Sequence, residues 1–333
     1  MNKILNYPLV SLVTGVGAII GQGIVKGIRQ SGQDIKIIGI DRKGNSLGRH
    51  FCDEFICKPN IDESTSEYKD FWRRVILENA VNIVFPGIEP DVFFFNRHQS
   101  LFKDLPVHIV INDKALIEMT SDKWTMWEFL RDRALPAIPS SLSDDWESIL
   151  SELGRPPFIL KPRRGSGSRG VVTIANCFDF GYWKDRLGES WIIQRKVGTN
   201  ESEFTVGLFG FGDGTALAPI IFRRKLSPAG NTSEATVVMN QFVLEATNAL
   251  TEVLRPLGPT NYQFRVEDET AFLLEVNPRF SSSNSMRTAV GYNEAAMSIE
   301  YFLFGRRPES PVVSEARVCR YSEDHVIYES DNF

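Results

Sequence analysis

The sequence predicts an N-terminal α/β domain with a doubly wound parallel sheet, followed by an α+β arrangement. Three observations carry that prediction. Between residues 8 and 116, segments of strand and helix character alternate, the pattern of a parallel sheet covered on both faces. From Phe158 onward the strand-like segments lie closer together and the turns between them are glycine-rich. A chain of 333 residues also exceeds what one core normally holds, so two or three domains are expected.

Each element follows from its local pattern. "LVSLVTGVG" is a strand running into a glycine turn, and "GQGIVKGIRQSG" has apolar residues at helical spacing and a glycine stop. "IKIIGID", "NIVFPG" and "HIVIND" read as strands, and "YKDFWRRVILENA" as a helix. "DKALIEMTSDKWTMWEFLRDRALPAIPSS" reads as helical until Pro136 and Pro139 stop it. "FILKP" begins the second section, whose turns are "RRGSGSRG", "FGFGDG" and "SPAGNTS"; "NQFVLEATNALTEVLRPLG" is a helix ended by Pro256 and Gly258. Residues 311–333 read as a terminal extension that closes a sheet edge.

Composition narrows the function classes. A net charge of −5 argues against a broad nucleic-acid surface, while a local basic site stays open. Cys52, Cys57, Cys177 and Cys319 form no C-x-x-C pair, which argues against a zinc site or a disulfide framework. No apolar run approaches membrane-spanning length, and the first residues make a poor signal peptide, so a cytoplasmic address is expected.

Four stretches carry chemistry. In "TGVGAIIGQG", Gly15, Gly17 and Gly21 approximate a dinucleotide turn, with Asp41 near the place of a ribose-binding acid. A tight turn without nucleotide explains the same residues. In "FILKPRRGSGSRGVVTI", Lys161 ends a strand. Gly165, Gly167 and Gly170 then leave amides open to phosphate oxygens, with Ser166, Ser168 and Arg169 as further donors. A solvated basic hairpin tip is the alternative. In "WIIQRKVGTNESEF" an apolar strand turns polar at Gln194 and resumes at Glu203, which suits a hinge over a base and an acid for ribose; a plain loop suits it too.

The fourth stretch is the pair "NYQFRV" and "AFLLEV", which read as a hairpin turning at "EDET". Strict alternation would put Phe272, Leu274, Val276 and Phe280 on one face and Leu273, Glu275, Asn277 and Arg279 on the other. Gln263 then falls beside Glu275 and Asn277. Magnesium takes oxygen ligands through one or two carboxylates plus nucleotide phosphates. Glu275, Asn277 and Gln263 suit that task, and Arg279 suits the moving phosphoryl oxygens. A solvated polar face is the alternative. Lysine strand, glycine–serine loop, polar hinge and metal-ligand strands together form an ordered nucleoside-triphosphate site.

With these residues in view, the sequence resembles the ATP-grasp superfamily, closest to the carbamoyl-phosphate-synthase large-subunit-like group. The resemblance rests on "SDKW", "FILKPRRGSGSRG", "SEFTV", "NYQF", "FLLEVNPRFSSSNS" and "VGYNEAAMSIEYFLFG", and extends over nearly the whole chain. It implies a pre-ATP-grasp domain over residues 1–116. A small lobe with the glycine-rich loop over 117–200, a large lobe with the metal site over 201–310 and the extension 311–333 follow. It implies that Lys123, Lys161 and residues 165–170 contact nucleotide phosphates, that Gln194, Lys196 and Val197 form the adenine hinge, and that Glu203 binds ribose. Gln263, Glu275 and Asn277 match ligands of two Mg²⁺ ions, replaceable by Mn²⁺, while Asn261 and Arg279 match neighbours of the transferred phosphoryl group. Arg195 departs from the acidic hinge residue of many relatives, and a single module points away from carbamoyl-phosphate synthesis.

The implied activity is an ATP- and Mg²⁺-dependent ligation of a small-molecule carboxylate to an amine or ammonia through an acyl phosphate. Gly17, Glu89 and Asp91 are substrate candidates at the strand C-termini, with the two acids explained equally by helix N-terminal charge. Arg224, Lys225 and Arg287 are candidates for holding the substrate carboxylate or acyl phosphate, and each could equally be a salt-bridge partner. The rival readings are a kinase or carboxylase on the same scaffold, an NAD(P)-dependent oxidoreductase using the N-terminal glycines, and a nucleotide-binding module without catalysis. A homodimer is a common arrangement for such chains.

Overall fold

The computed structural model describes residues 9–165, 170–188, 190–228 and 230–326. Its N-terminal part runs β1 (Leu9–Thr14), α1 (Ile19–Arg29), β2 (Ile35–Asp41), β3 (Glu54–Cys57), α2 (Ser66–Glu78), β4 (Ile83–Phe85), α3 (Glu89–Arg97) and β5 (His108–Ile109). The strands form one parallel sheet in the order β3-β2-β1-β4-β5. Both faces are covered, which is why β1, β2 and β4 read as near-continuous apolar runs. One face packs Val13, Ile37 and Phe85 with Ile24 and Ile28 of α1; the other packs Leu12, Ile38 and Val84 with Trp72 of α2 and Phe94 of α3. The short edge strand β3, which carries exposed Glu54, has too little apolar pattern to be read from sequence.

Two helices follow, where the sequence pattern suggests one: α4 (Lys114–Thr120) and α5 (Lys123–Arg131). Asp122 breaks the run, because its carboxylate accepts from the Trp124 and Thr125 amides and starts a new helix. The second section then supplies β6 (Ser140–Ser141), α6 (Trp146–Leu153), β7 (Phe158–Pro162), β8 (Val172–Ile174), α7 (Cys177–Leu187) and β9 (Trp191–Arg195). These strands form an antiparallel sheet in the order β6-β9-β7-β8, with α6 and α7 on a shared core around Phe158, Leu160 and Phe180.

The remaining elements are β10 (Glu203–Phe211), β11 (Ile220–Leu226), β12 (Thr232–Val237), α8 (Gln241–Leu254), β13 (Leu257–Glu267), β14 (Thr270–Asn277), α9 (Asn284–Ala289), α10 (Glu294–Ser298) and β15 (Arg317–Cys319). Their sheet order is β14-β13-β10-β11-β12-β15, antiparallel throughout, with β15 forming the edge beyond β12. Although α9 and α10 belong to this part by sequence, they pack against α1 of the first sheet. The Asn284 side-chain amide donates to the Ile20 carbonyl at 3.0 Å and that of Asn293 to the Gly27 carbonyl at 2.8 Å. Glycine is needed at this contact: a Cβ on Gly23 would stand 1.9 Å from the Asn284 Oδ1. Among the described residues no helix is long and apolar enough to cross a membrane.

Candidate functional site

The site is built on the β13–β14 hairpin. Asp268 and Glu269 both adopt positive φ (46° and 63°), the pair of left-handed residues that a two-residue hairpin turn demands. The register sets Asn261 opposite Asn277 and Gln263 opposite Glu275. It then shifts, so that Phe264 pairs with Leu273 and Leu274 is the extra residue. The bulge corrects the strict alternation expected from sequence. Ala271, Leu273 and Val276 enter the core, while Phe272 and Leu274 stand outside that cluster. Phe272 lies under the Arg195 guanidinium, 5.1 Å from ring centroid to cation. Glu275 lies on the cavity side, where its carboxylate makes no hydrogen bond or ion pair with described residues.

A cluster of cations faces that carboxylate. Lys123 sits at the start of α5, its Nζ 2.9 Å from the Gly165 carbonyl. Lys161 at the end of β7 is lowered to about 8 by burial and by nearby Lys123, against the opposing pull of Glu275. Burial likewise lowers Lys123, with Glu275 and Glu89 opposing. Together with Arg164, Arg224 and Arg265 they line a cavity of about 200 Å³ between the two antiparallel sheets. The two lysines carry a desolvation cost that a polyanion beside them would remove, while Arg224 and Arg265 already share the Glu203 carboxylate.

The loop after β7 is tied down at its base. Arg163 makes two bonds to Asp122, 3.1 Å from Nε to Oδ1 and 2.8 Å from Nη2 to Oδ2. Gly165 (φ 109°) and Gly170 (φ 71°) bound the loop in backbone regions that other residues rarely adopt. Ser166, Gly167, Ser168 and Arg169 lie outside the described residues. At the hinge, Gln194 Nε2 donates to Ser140 Oγ at 2.6 Å, Lys196 is exposed and Val197 is buried. Arg195, in place of an acid, pairs with Glu267 at 2.9 Å, whose other oxygen takes the Gly198 amide.

Their partners change several of the expected roles. Glu203 does not offer a lone pair to ribose here. Arg224 donates twice to its Oε1 (3.1 and 2.7 Å) and Arg265 twice to its Oε2 (3.1 and 2.8 Å), which fills its four acceptor positions. Gln263 Oε1 accepts from Arg224 Nη2 at 2.9 Å, so a guanidinium holds the place of a cation at that ligand. Arg224 lines the cavity between the sheets and does not line the strand-end cleft.

Asn261 and Arg287 bond to each other inside the protein. Both are buried, and the Asn261 Oδ1 accepts from Arg287 Nη2 and Thr205 Oγ1. Arg287 spends its Nη1 on Glu294, 3.1 Å away, and fits because Gly207 leaves room: a Cβ there would meet the guanidinium at 2.6 Å. Lys225 is an exposed side chain paired with Glu234 at 3.4 Å, outside the cation cavity. Asp91 forms a buried ion pair with Lys58 at 2.5 Å and cannot reach a ligand. Asp41, the acid of the oxidoreductase reading, accepts the Gly17 amide at 2.9 Å through its Oδ2.

Arg279 and Glu89 remain at the surface of the site, 3.5 Å apart. Both line a cleft of about 800 Å³ at the C-terminal ends of the parallel strands, shared with Gly17, Ile20, Arg164 and Asn231. Arg164 and Arg265 are the site residues that sequence reading missed. Arg265 had a signal, because it follows Asn261 and Gln263 at the two-residue spacing of one strand face.

Comparison with known proteins bears on the fold. Residues 198–324 match a family model described as "ATP-grasp in the biosynthetic pathway with Ter operon". N5-carboxyaminoimidazole synthetase from Staphylococcus aureus, in its ADP complex, superposes with a TM-score of 0.70 at 16% identity, covering 94% of this chain and 82% of that one. This is the ATP-grasp fold. An L-amino acid ligase from Bacillus licheniformis shares it, with a TM-score of 0.67, 14% identity and coverage of 92% and 75%. The carbamoyl phosphate synthase large chain of Methanosphaerula palustris is 24% identical over 301 residues, 81% of this chain. The chain spans 28% of the length of that relative. In ATP-grasp terms, the parallel sheet precedes a module whose two antiparallel sheets enclose the cation cavity.

Proposed function

We propose that the protein is an ATP- and Mg²⁺-dependent ligase that joins a small-molecule carboxylate to an amine or ammonia, releasing ADP. The observation that carries this reading is the cluster of Lys123, Lys161, Arg164 and Arg265 around the uncommitted Glu275 carboxylate. A triphosphate fits the cations. Magnesium fits Glu275 and Asn277, a pair of oxygen donors at the end of β14 that needs phosphate oxygens to complete it. No group of three acidic, histidine or cysteine side chains stands ready for a metal among the described residues. Bound there, the ion would neutralise the β- and γ-phosphate oxygens. Gln263 is not needed as a ligand in this account.

The chain's own residues do the rest. Lys161 and Lys123 hold the phosphates, and Arg279 faces the phosphoryl group in transit. The carboxylate substrate occupies the strand-end cleft, where Arg164, Arg279 and the N-termini of α1 and α3 attract an anion. Its oxygen attacks the γ-phosphorus and ADP departs. The resulting acyl phosphate then meets the amine. The ligase and synthetase among the similar folds support C–N bond formation over simple phosphorylation.

The test is an ADP-release screen of carboxylic acids crossed with amines, with ammonia and bicarbonate included. Acid-dependent ADP release that needs Mg²⁺, together with a hydroxamate when hydroxylamine is the amine, is the expected result. Glu275→Gln should lower turnover by about a thousandfold or more while leaving the melting temperature within a few degrees, because it removes a metal donor and not a core contact. Near-normal ATP consumption by that variant would remove the metal assignment, and ADP release without any acid would remove the ligase reading.

A further inference from the structure

Three side chains form a row across the sheet that holds β9. Ile159 of β7 pairs with Gln194, and Gln194 pairs with Ser140 of β6. Directly paired residues share a face, and Ile159 sets that face on the cation cavity. Leu274, the bulge residue of β14, lines the same cavity from the opposite sheet, so each sheet gives it an apolar part. Lys123, Leu274 and Glu275 also line a slot of about 30 Å³ bordered by Ile138 and Gln194. A slot of that size takes a water-sized group and no ring.

The protons at Ser140 decide which end of Gln194 faces this slot. A serine hydroxyl has one proton. Ser140 Oγ gives it to the Ile138 carbonyl at 2.8 Å. Toward Gln194, 2.6 Å away, the same oxygen can then only accept, so the amide nitrogen Nε2 lies on that side. Ser140 is not on the wall of the slot, whereas Gln194 is. The Gln194 Oε1 is the end left for it, and that oxygen makes no hydrogen bond with described residues. Both side chains are buried, with Ser140 4% and Gln194 7% exposed, so bulk water does not scramble the order. Arg195 is no alternative reader, since it lines neither chamber and pairs with Glu267.

We propose that Ser140 is a positioning residue that sets the base specificity of the nucleotide site. It holds the Gln194 amide with its oxygen toward the slot, which selects a purine carrying an amino group at position 6 over one carrying a carbonyl there. The inference rests on the nucleotide half of the ligase reading and is independent of the acid and the amine. An exocyclic amino group fits the slot and donates to Gln194 Oε1. A carbonyl in its place would set two acceptors against each other where an unpaired polar group is costly. Turning the amide to meet that carbonyl would bring Oε1 against Ser140 Oγ, whose one proton is already committed.

The experiment is calorimetry of ADP and IDP, each with Mg²⁺, on the full chain, with Ser140→Ala and Gln194→Leu as variants. The two nucleotides differ at position 6 and in the proton on the adjoining ring nitrogen. Wild type should bind ADP at least about tenfold more tightly than IDP, roughly the worth of one hydrogen bond. In Ser140→Ala the amide is free to turn, so IDP should gain affinity and the ratio should fall at least about fivefold. A merely structural role for Ser140 would weaken both nucleotides alike. Gln194→Leu, which keeps most of the side-chain volume, should lose the preference without any gain for IDP. Equal binding of ADP and IDP by wild type, an unchanged ratio in Ser140→Ala, or a preference that survives Gln194→Leu would each overturn the proposal. An ADP preference abolished by Ser140→Ala, with no acid supporting ADP release in the wild type, would sink the ligase reading and uphold the role of Ser140. Equal binding of the two nucleotides beside acid-dependent ADP release would do the reverse.

Discussion

Lys161 shows how a binding residue is prepared by its surroundings. Its ammonium is disfavoured by burial and by Lys123, which lowers it from 10.5 to about 8. The unfolded chain therefore holds that proton more tightly than the folded one between those two values. Stability must rise as pH increases from about 8 toward 10.5, and the penalty is fully present below 8. Lys161→Met should accordingly stabilise the nucleotide-free protein near pH 7 by up to a few kcal/mol, since each tenfold change in proton affinity is worth about 1.4 kcal/mol. That gain should vanish above pH 10.5. The same variant should bind ATP more weakly. Thermal melts across pH 7–11 would check the first expectation and calorimetry at pH 7 the second. In wild-type protein, ATP restores the proton's favourable surroundings, so binding above pH 8 should take up a proton, visible as a dependence of binding heat on the buffer. A variant no more stable than wild type at pH 7 would mean that the cation cluster carries no strain.

At the scale of elements, the β13–β14 hairpin supports the site with two layers. Its outer layer presents Glu275 and Asn277, and its inner layer is the buried set Asn261, Thr205, Arg287 and Glu294. Burial raises the Glu294 carboxyl against the pull of Arg287, so the pair depends on staying together. Arg287→Leu leaves that carboxyl alone in the core and should cost about 3–5 kcal/mol in denaturant unfolding. Adding Glu294→Leu should recover much of the loss, whereas an additive double variant would show that the pair is not coupled. How legible was this hairpin? The pairing of Gln263 with Glu275 follows from alternation and a turn sequence, and so does the polar face. The bulge at Leu274 does not, because one extra residue leaves the composition of the strand unchanged. The fate of Glu203 was equally hidden: its partners Arg224 and Arg265 come from other strands, and only the sheet order brings them together. The break at Asp122 was visible as a capping residue, yet the continuous helical pattern around it masked the signal.

Over the whole molecule, two kinds of junction divide the labour. The cation cavity is lined from Lys123 onward and draws nothing from the parallel sheet, while the strand-end cleft takes residues 17–20 and 87–90 from that sheet. What holds the parallel sheet in place is the contact of α1 with α9 and α10, through Gly23 against Asn284 and Gly27 against Asn293. Gly23→Val must displace the Asn284 side chain, and with it the bond to the Ile20 carbonyl at the cleft wall. Nucleotide affinity should then stay within about twofold of wild type, while the acid's KM rises about tenfold or more, since misplacing one half of a cleft weakens whatever spans it. Calorimetry with ATP and steady-state kinetics with the acid found in the screen would separate the two effects. A parallel loss of ATP affinity would mean that the parallel sheet shapes the nucleotide cavity after all, and that the acid and nucleotide sites are not built by separate junctions.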